Sequence, residues 1–217
     1  KKPDTARLIN VDGAQNVARA CKKMDNVYLV HYSTDLVFDG TCGPYCEEDA
    51  VNPVNVYGAT KAESESAVIS SHENSAILRT AIVYGRGSGK RPNFFEFLIA
   101  QAKSGKGAKI FNDEYRSFVY ADDSASAVAE LISSGLTGVF HAGGDSRLSR
   151  YEFVMKMLLY FGLPGANFEP IQIGDLAEQA PRPPDCSLNS EKLKAETGWR
   201  PSSFEPGMER FKQSLGL

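Results

Sequence analysis

The sequence predicts an α/β fold, a parallel sheet covered by helices. Three observations carry that expectation. Apolar runs of strand length recur at 27–32, 75–84 and 139–142. Stretches of helical period alternate with them. The runs are nearly continuous rather than alternating, as in strands buried on both faces.

Taken in order, residues 5–23 read as a helix, with Leu8, Val11, Ala14 or Gln15, Val17, Ala18 and Cys21 along one face. The run Val27-Tyr28-Leu29-Val30-His31-Tyr32 is the first strand, expected to be buried on both sides. Residues 39–53, rich in Gly, Pro, Asp and Asn, form a long loop. A helix follows from Val54 or Asn55 to Ser70. The second strand, 75–84, ends at Gly85-Arg86-Gly87-Ser88-Gly89, a hinge to a second lobe. Asn93 to Lys103 is helical, with Phe94, Phe95, Phe97, Leu98 and Ala102 as its apolar surface. Lys109-Ile110-Phe111 is a short strand. A helix from Asp122 to Ser133 takes Asp122 or Asp123 as N-cap. The third strand, 139–142, stops at Gly143-Gly144. A long helix from Arg150 to Phe161 is closed by Gly162 and Pro164. A short strand at 168–171, a rigid Pro181-Arg182-Pro183-Pro184 connector and helices over 189–197 and 205–215 complete the chain. It contains no internal repeat.

Composition narrows the partners. The 217 residues are 42% hydrophobic and 24% charged, with a formal net charge of −3 and no long run of like charge. Nucleic acid is not expected as a main partner, because phosphate binding needs clustered Lys and Arg. No apolar stretch approaches membrane-spanning length, and Lys1-Lys2-Pro3-Asp4 lacks a signal-peptide core. Of the four cysteines, Cys42 and Cys46 stand close together, but no second pair or histidine completes a zinc site, and no metal is expected. A reducing, cytoplasmic compartment is the expectation.

The chemistry gathers in two segments, His31-Tyr32-Ser33-Thr34-Asp35 and Tyr57-Gly58-Ala59-Thr60-Lys61. Tyr57 and Lys61, four residues apart on a helix, share one face. An ammonium beside a phenol favours the phenolate and is expected to lower its pKa from about 10. Such a pair can protonate a carbonyl oxygen as hydride reaches carbon, and the lysine can bond a ribose hydroxyl. The spacing alone is a weak signal. Thr34 strengthens it, because it closes an apolar strand, and open α/β sheets bind ligands at the C-terminal ends of their strands. Its hydroxyl can orient a substrate carbonyl there.

Three stretches resemble the extended short-chain dehydrogenase/reductases, and within them the dTDP-4-dehydrorhamnose reductase group. They are Ser33-Thr34-Asp35-Leu36-Val37-Phe38-Asp39-Gly40, Asn52-Pro53-Val54-Asn55-Val56-Tyr57-Gly58-Ala59-Thr60-Lys61 and Leu78-Arg79-Thr80-Ala81-Ile82-Val83-Tyr84-Gly85. The resemblance continues through Asn93-Phe94-Phe95, the stretch from Arg116 to Asp123, and Arg182-Pro183 with Leu188 to Leu193. It implies Thr34, Tyr57 and Lys61 as the catalytic triad, with Asn10 supporting the lysine through water. It implies that Ser33, Tyr57, Lys61, Thr80, Ala81 and Ile82 meet a nicotinamide cofactor, NADPH or NADH. It implies that Thr34, Asp35, Asn93, Arg116 and Arg182 meet a nucleotide-sugar substrate, the arginines at its diphosphate. Leu36 stands where sugar 4,6-dehydratases carry Glu, and Asp35 where the fucose-synthase type carries Cys. Ile82 replaces the Trp usual in rhamnose reductases, and Tyr115-Arg116-Ser117-Phe118 replaces their Gly-x-Pro-Thr stretch, so the hydride chemistry is better marked than the sugar.

The resemblance also implies a Rossmann-type parallel sheet that is N-terminally incomplete. The glycine-rich phosphate turn is not in this sequence, and roughly 70–80 upstream residues, several strand–helix units, are expected before it. The expected division is 1–88 with 117–146 as the C-terminal part of the NAD(P)-binding domain. Residues 89–116 with 147–217 form the small substrate lobe. The function implied is NAD(P)H-dependent reduction of a nucleotide-linked 4-keto sugar. Alternatives are a non-catalytic regulatory subunit like the methionine adenosyltransferase β-subunit, or a nucleotide-sugar epimerase holding NAD. A homodimer is left open.

Overall fold

The computed structural model describes residues 2–89, 91–176 and 180–217. Lys1 and the parts of the expected lobe at 90 and 177–179 lie outside the described residues. In chain order, α1 (Pro3–Arg7) runs through a π turn (Leu8–Asp12) into α2 (Gly13–Lys22). Then come β1 (Leu29–Thr34), a 3-10 turn (Asp35–Val37), α3 (Val56–Ser71), β2 (Ser75–Thr80), β3 (Val83–Tyr84) and α4 (Phe94–Lys103). β4 (Lys109–Phe111), β5 (Tyr115–Ser117), β6 (Val119–Tyr120), α5 (Ala121–Ser134) and β7 (Gly138–Ala142) follow. The chain closes with β8 (Arg147–Ser149), α6 (Arg150–Tyr160), β9 (Glu169–Ile171), α7 (Glu191–Thr197) and α8 (Phe204–Leu215).

The fold is α/β, as expected. A parallel sheet in the order β1-β2-β7 forms its centre. β2 is buried at every residue. β1 departs from the expectation of two-sided burial: it begins at Leu29, pairs with β2 alone among the described strands, and leaves Tyr32 45% exposed. Parallel strands end in register, so Thr34, Thr80 and Ala142 stand abreast at the C-terminal edge. That edge is where such sheets present ligand sites.

Local chemistry explains most boundaries. Asn55 caps α3 by accepting from the Gly58 N–H at 2.9 Å, and Asn93 and Ser149 build capping boxes with Glu96 and Glu152. Gly135, Gly198 and Gly216 end α5, α7 and α8 in the left-handed conformation. Two expectations fail. Tyr120, not Asp122 or Asp123, occupies the N-cap of α5, because the Asp123 carboxylate is drawn to the Ser202 N–H at 2.8 Å and to Arg210 at 2.6 Å. The first helix is not a uniform 5–23 stripe: the π turn shifts its phase, so Val11 and Ala18 are buried while Leu8 and Val17 are exposed.

Two cores result. Tyr84, Phe95, Leu98, Ile110, Phe118, Phe153, Met157 and Phe211 join α4, α6 and α8 into the lobe. Ala76, Leu78, Leu131, Phe140, Leu193 and Trp199 pack α5 and α7 against the sheet. Leu193 of α7 and Trp199, within the 147–217 part of the expected lobe, pack here against the sheet. Trp199 is tied there by its indole N–H to the Asp123 carbonyl at 3.0 Å.

Candidate active site

Thr34 ends β1 and is 7% exposed. Its Oγ1 accepts from the Leu36 N–H at 3.2 Å and donates to Asp35 Oδ1 at 3.0 Å, which starts the 3-10 turn and fixes the hydroxyl. Tyr57 lies in the first turn of α3, half exposed, one turn before Lys61. The approach of α3 requires a glycine: a Cβ on Gly58 would stand 2.0 Å from the Leu36 carbonyl oxygen. Helix and strand end are therefore in backbone contact beside Thr34.

The lysine does not act on the phenol as expected. Lys61 Nζ donates to the Tyr32 carbonyl at 2.5 Å and lies 3.2 Å from His31 Nε2. Burial lowers its pKa, with Glu65 opposing. The Tyr57 phenol is pushed up, not down: burial is the main cause and the Asp35 charge adds to it, against a lowering hydrogen bond with Thr34. Tyr57 is thus held protonated at neutral pH, as a proton donor must be. Burial pushes His31 down to about 4, so it is a neutral neighbour of the ammonium.

Tyr57 opens onto a cleft of about 800 Å³, a volume within the range of small-molecule sites. Leu36, Pro53, Val54 and Pro183 give it apolar walls, and Glu114 and Arg182 face it from the lobe side. Asp35 lies just behind, 3% exposed. Arg116 Nε stands 3.2 Å from its Oδ2, yet no hydrogen bond reaches that oxygen. The ion pair offsets burial only in part, and the Asp35 carboxyl is pushed up to about 6.

The other expected residues divide. Thr80 lies beside Thr34 in register, and Ala81 and Ile82 carry the chain from β2 toward the lobe. Ala81 packs with Phe38 and Tyr45, and Ile82 against the lobe core. The Ser33 hydroxyl is turned away from the edge and donates to Glu65. Asn10 reaches α3 rather than the lysine, donating to Thr60 Oγ1 at 2.9 Å. Asn93 is used locally: it caps α4 and donates to the Gly85 carbonyl at 2.7 Å, securing the hinge. Arg116 is 1% exposed, bonded to Asp35, Glu114 and the carbonyls of Tyr115 and Pro183, a setting that does not favour contact with a diphosphate. Arg182 reaches Glu114 at 3.3 Å and lies over the Phe111 ring, with its side chain about a third exposed at the cleft. Glu65 and Glu114 are not marked by the sequence motifs, and His31 stands in a marked segment without a role. Four-residue spacing behind Lys61 is the signal for Glu65, and adjacency to Thr34 is the signal for His31.

The family described as the RmlD substrate binding domain matches residues 1–216. The chain belongs to this family. Within reach of it, a dTDP-4-dehydrorhamnose reductase of Sinorhizobium fredii is 32% identical over 227 residues, covering all of this chain and 75% of that protein. Methionine adenosyltransferase 2 subunit beta of Xenopus tropicalis is 32% identical over 199 residues, 89% of this chain. The chain spans 59% of that subunit's length. The crystal structure of a Bacillus anthracis dTDP-4-dehydrorhamnose reductase in complex with NADP superposes with a TM-score of 0.89 at 31% identity, covering 97% of this chain and 74% of that one.

Proposed function

We propose that the protein reduces a nucleotide-linked 4-keto sugar with NADPH or NADH. The observation that carries this reading is Tyr57: a phenol held protonated, opening onto the cleft, interacting with a strand-end threonine and one helical turn from a lysine. The donor set fits the nicotinamide end of a cofactor. Lys61 has three N–H donors and two are directed at Tyr32 and His31, which leaves one for a ribose hydroxyl. Thr80, Ala81 and Ile82 would border the ring. When bound, the reduced nicotinamide supplies hydride.

The chain's own residues do the rest. Tyr57 Oη gives its proton to the carbonyl oxygen as that oxygen gains charge. Thr34, whose hydrogen bond favours the ionised phenol, stands beside the phenolate left behind. Thr34, whose hydroxyl proton rests on Asp35, would turn that proton to the carbonyl oxygen and hold the reacting group against Tyr57. Arg182, at the cleft rim, is placed to meet an anionic part of the substrate.

In the full-length protein, Tyr57→Phe is expected to lower turnover of NADPH with a nucleotide 4-keto sugar by about 10²–10⁴-fold. Cofactor affinity, read by fluorescence titration, should remain. Undiminished turnover contradicts the assignment.

The likeness to methionine adenosyltransferase 2 subunit beta favours a second reading, a subunit that binds a synthetase. Co-purification with a synthetase, with no NADPH oxidation on keto sugars, is the outcome that selects it. Retention of tightly bound NAD and sugar inversion without net oxidation selects the epimerase alternative.

A further inference from the structure

One level below Thr34 and Thr80 the sheet carries a second, wholly polar row. Ser33, Arg79 and His141 stand abreast on β1, β2 and β7, all buried. Glu65 of α3 is seated on this row. Its carboxylate accepts from the Ser33 hydroxyl, from Arg79 Nε at 3.0 Å and from Arg79 Nη2 at 2.7 Å. The Glu65 and Arg79 side chains are each 6% exposed. Arg79 Nη1 reaches His141 Nε2 at 3.4 Å. His141 Nδ1 lies 3.1 Å and 3.2 Å from the carbonyls of Tyr45 and Asn189, so the ring proton sits on Nδ1 and Nε2 is the acceptor. A buried ion pair persists only when its remaining donors and acceptors are met in this way.

None of these groups reaches the cleft, yet they govern the helix that does. Tyr57, Lys61 and Glu65 recur every four residues along one face of α3. Anchoring Glu65 therefore fixes the rotation of α3 and the direction in which the two earlier side chains leave it. We infer that Glu65 is a positioning residue for Lys61: clamped to the sheet by Ser33 and Arg79, it sets the rotation of α3 and holds a negative charge one turn behind the ammonium. This deepens the reductase reading and rests on it for the effect on turnover.

The charged and titratable groups around the lysine are few. His31 on β1, Tyr57 and Glu65 on α3, and Arg79 on β2 lie on the sheet side, with Asp35 beyond Tyr57. Arg7, Asp12 and Glu63 form an exposed cluster where α1 and its π turn meet α3. Burial pushes the ammonium toward the free amine, and Glu65 is the anion that opposes it.

The test is the pH dependence of Lys61 acetylation by acetic anhydride in the full-length protein, followed by peptide mass spectrometry, for wild type and Glu65→Gln. The free-amine reactivity of Lys61 at a fixed pH is expected to rise about threefold or more in the variant. The basic limb of kcat/KM should move to lower pH with it. Removing the carboxylate alone strands Arg79, so Glu65→Gln combined with Arg79→Met, which deletes both buried charges, is measured alongside and is expected to show a smaller rise in the same direction, since loss of the Arg79 cation offsets part of the effect. An unchanged Lys61 titration in either folded variant overturns the inference. A shifted titration in a protein that reduces no keto sugar upholds the positioning role and defeats the reductase reading instead.

Discussion

At the scale of single residues, burial shifts the titration of the groups around the site. Asp35 shows the sign of the effect most clearly. Its carboxyl is raised from 3.8 to about 6 in the folded protein, chiefly by burial. A raised acid binds its proton more tightly folded than unfolded, so the stability it contributes is complete below about pH 4 and is lost as pH rises through about 6. The loss is on the order of 3 kcal/mol. Urea midpoints for Asp35→Asn are expected to lack this fall, and an equal fall in the variant would refute it. His141 acts in the opposite sense. Burial lowers it to about 3, so its contribution is present above about 6.5 and is lost as pH falls through that range. The placement of Thr34 at a strand end, and of Tyr57 and Lys61 one helical turn apart, was legible in the sequence because each depends on local pattern. The roles of Arg116 and Asn93 were not, because the groups that occupy them lie elsewhere in the chain. Asp35 and Pro183 take the arginine, and Gly85 takes the asparagine.

At the scale of elements, the placement of α3 against the 3-10 turn after β1 is the decisive contact. In an exposed helix, replacing glycine by alanine gains about 1 kcal/mol. At Gly58 the added Cβ meets the Leu36 carbonyl at 2.0 Å, so the sign reverses. Gly58→Ala is expected to lower Tm and to reduce turnover more than cofactor binding; a stabilised, fully active variant would contradict the account. The hinge is held by Asn93, which caps α4 and grips Gly85. Asn93→Ala is expected to cost roughly 1–2 kcal/mol in urea unfolding. Strand and helix positions were readable from period and caps. The π turn that rotates Leu8 outward was not, since an inserted residue leaves composition and spacing unmarked. Nor was the strand Tyr115–Ser117, whose pairing with Arg147–Ser149 is a relation between distant segments.

At the scale of the whole molecule, a buried chain of charges joins the sheet to the lobe beneath the cleft. Asp35 follows β1, Arg116 lies on β5, and Glu114 is met by Arg116, Arg150 and Arg182. Arg116→Met leaves Asp35 without its cation and is expected to destabilise by about 3–5 kcal/mol, as broken buried pairs do. Arg150→Met, which leaves Glu114 two arginines, should cost less. A smaller loss for Arg116→Met than for Arg150→Met in urea unfolding would contradict this arrangement. The packing of α7 and Trp199 against the sheet was not legible, because it depends on contacts with α5 that sequence order conceals. The most direct measurement of the central claim is isotope transfer. The full-length protein is given NADPH deuterated at nicotinamide C4, with a nucleotide-linked 4-keto sugar, and the sugar product is analysed by mass spectrometry. Wild type should place one deuterium on the former carbonyl carbon, and Tyr57→Phe should form that labelled product about 10²–10⁴-fold more slowly. A wild-type reaction that leaves the sugar unlabelled with either C4 isotopomer would contradict it.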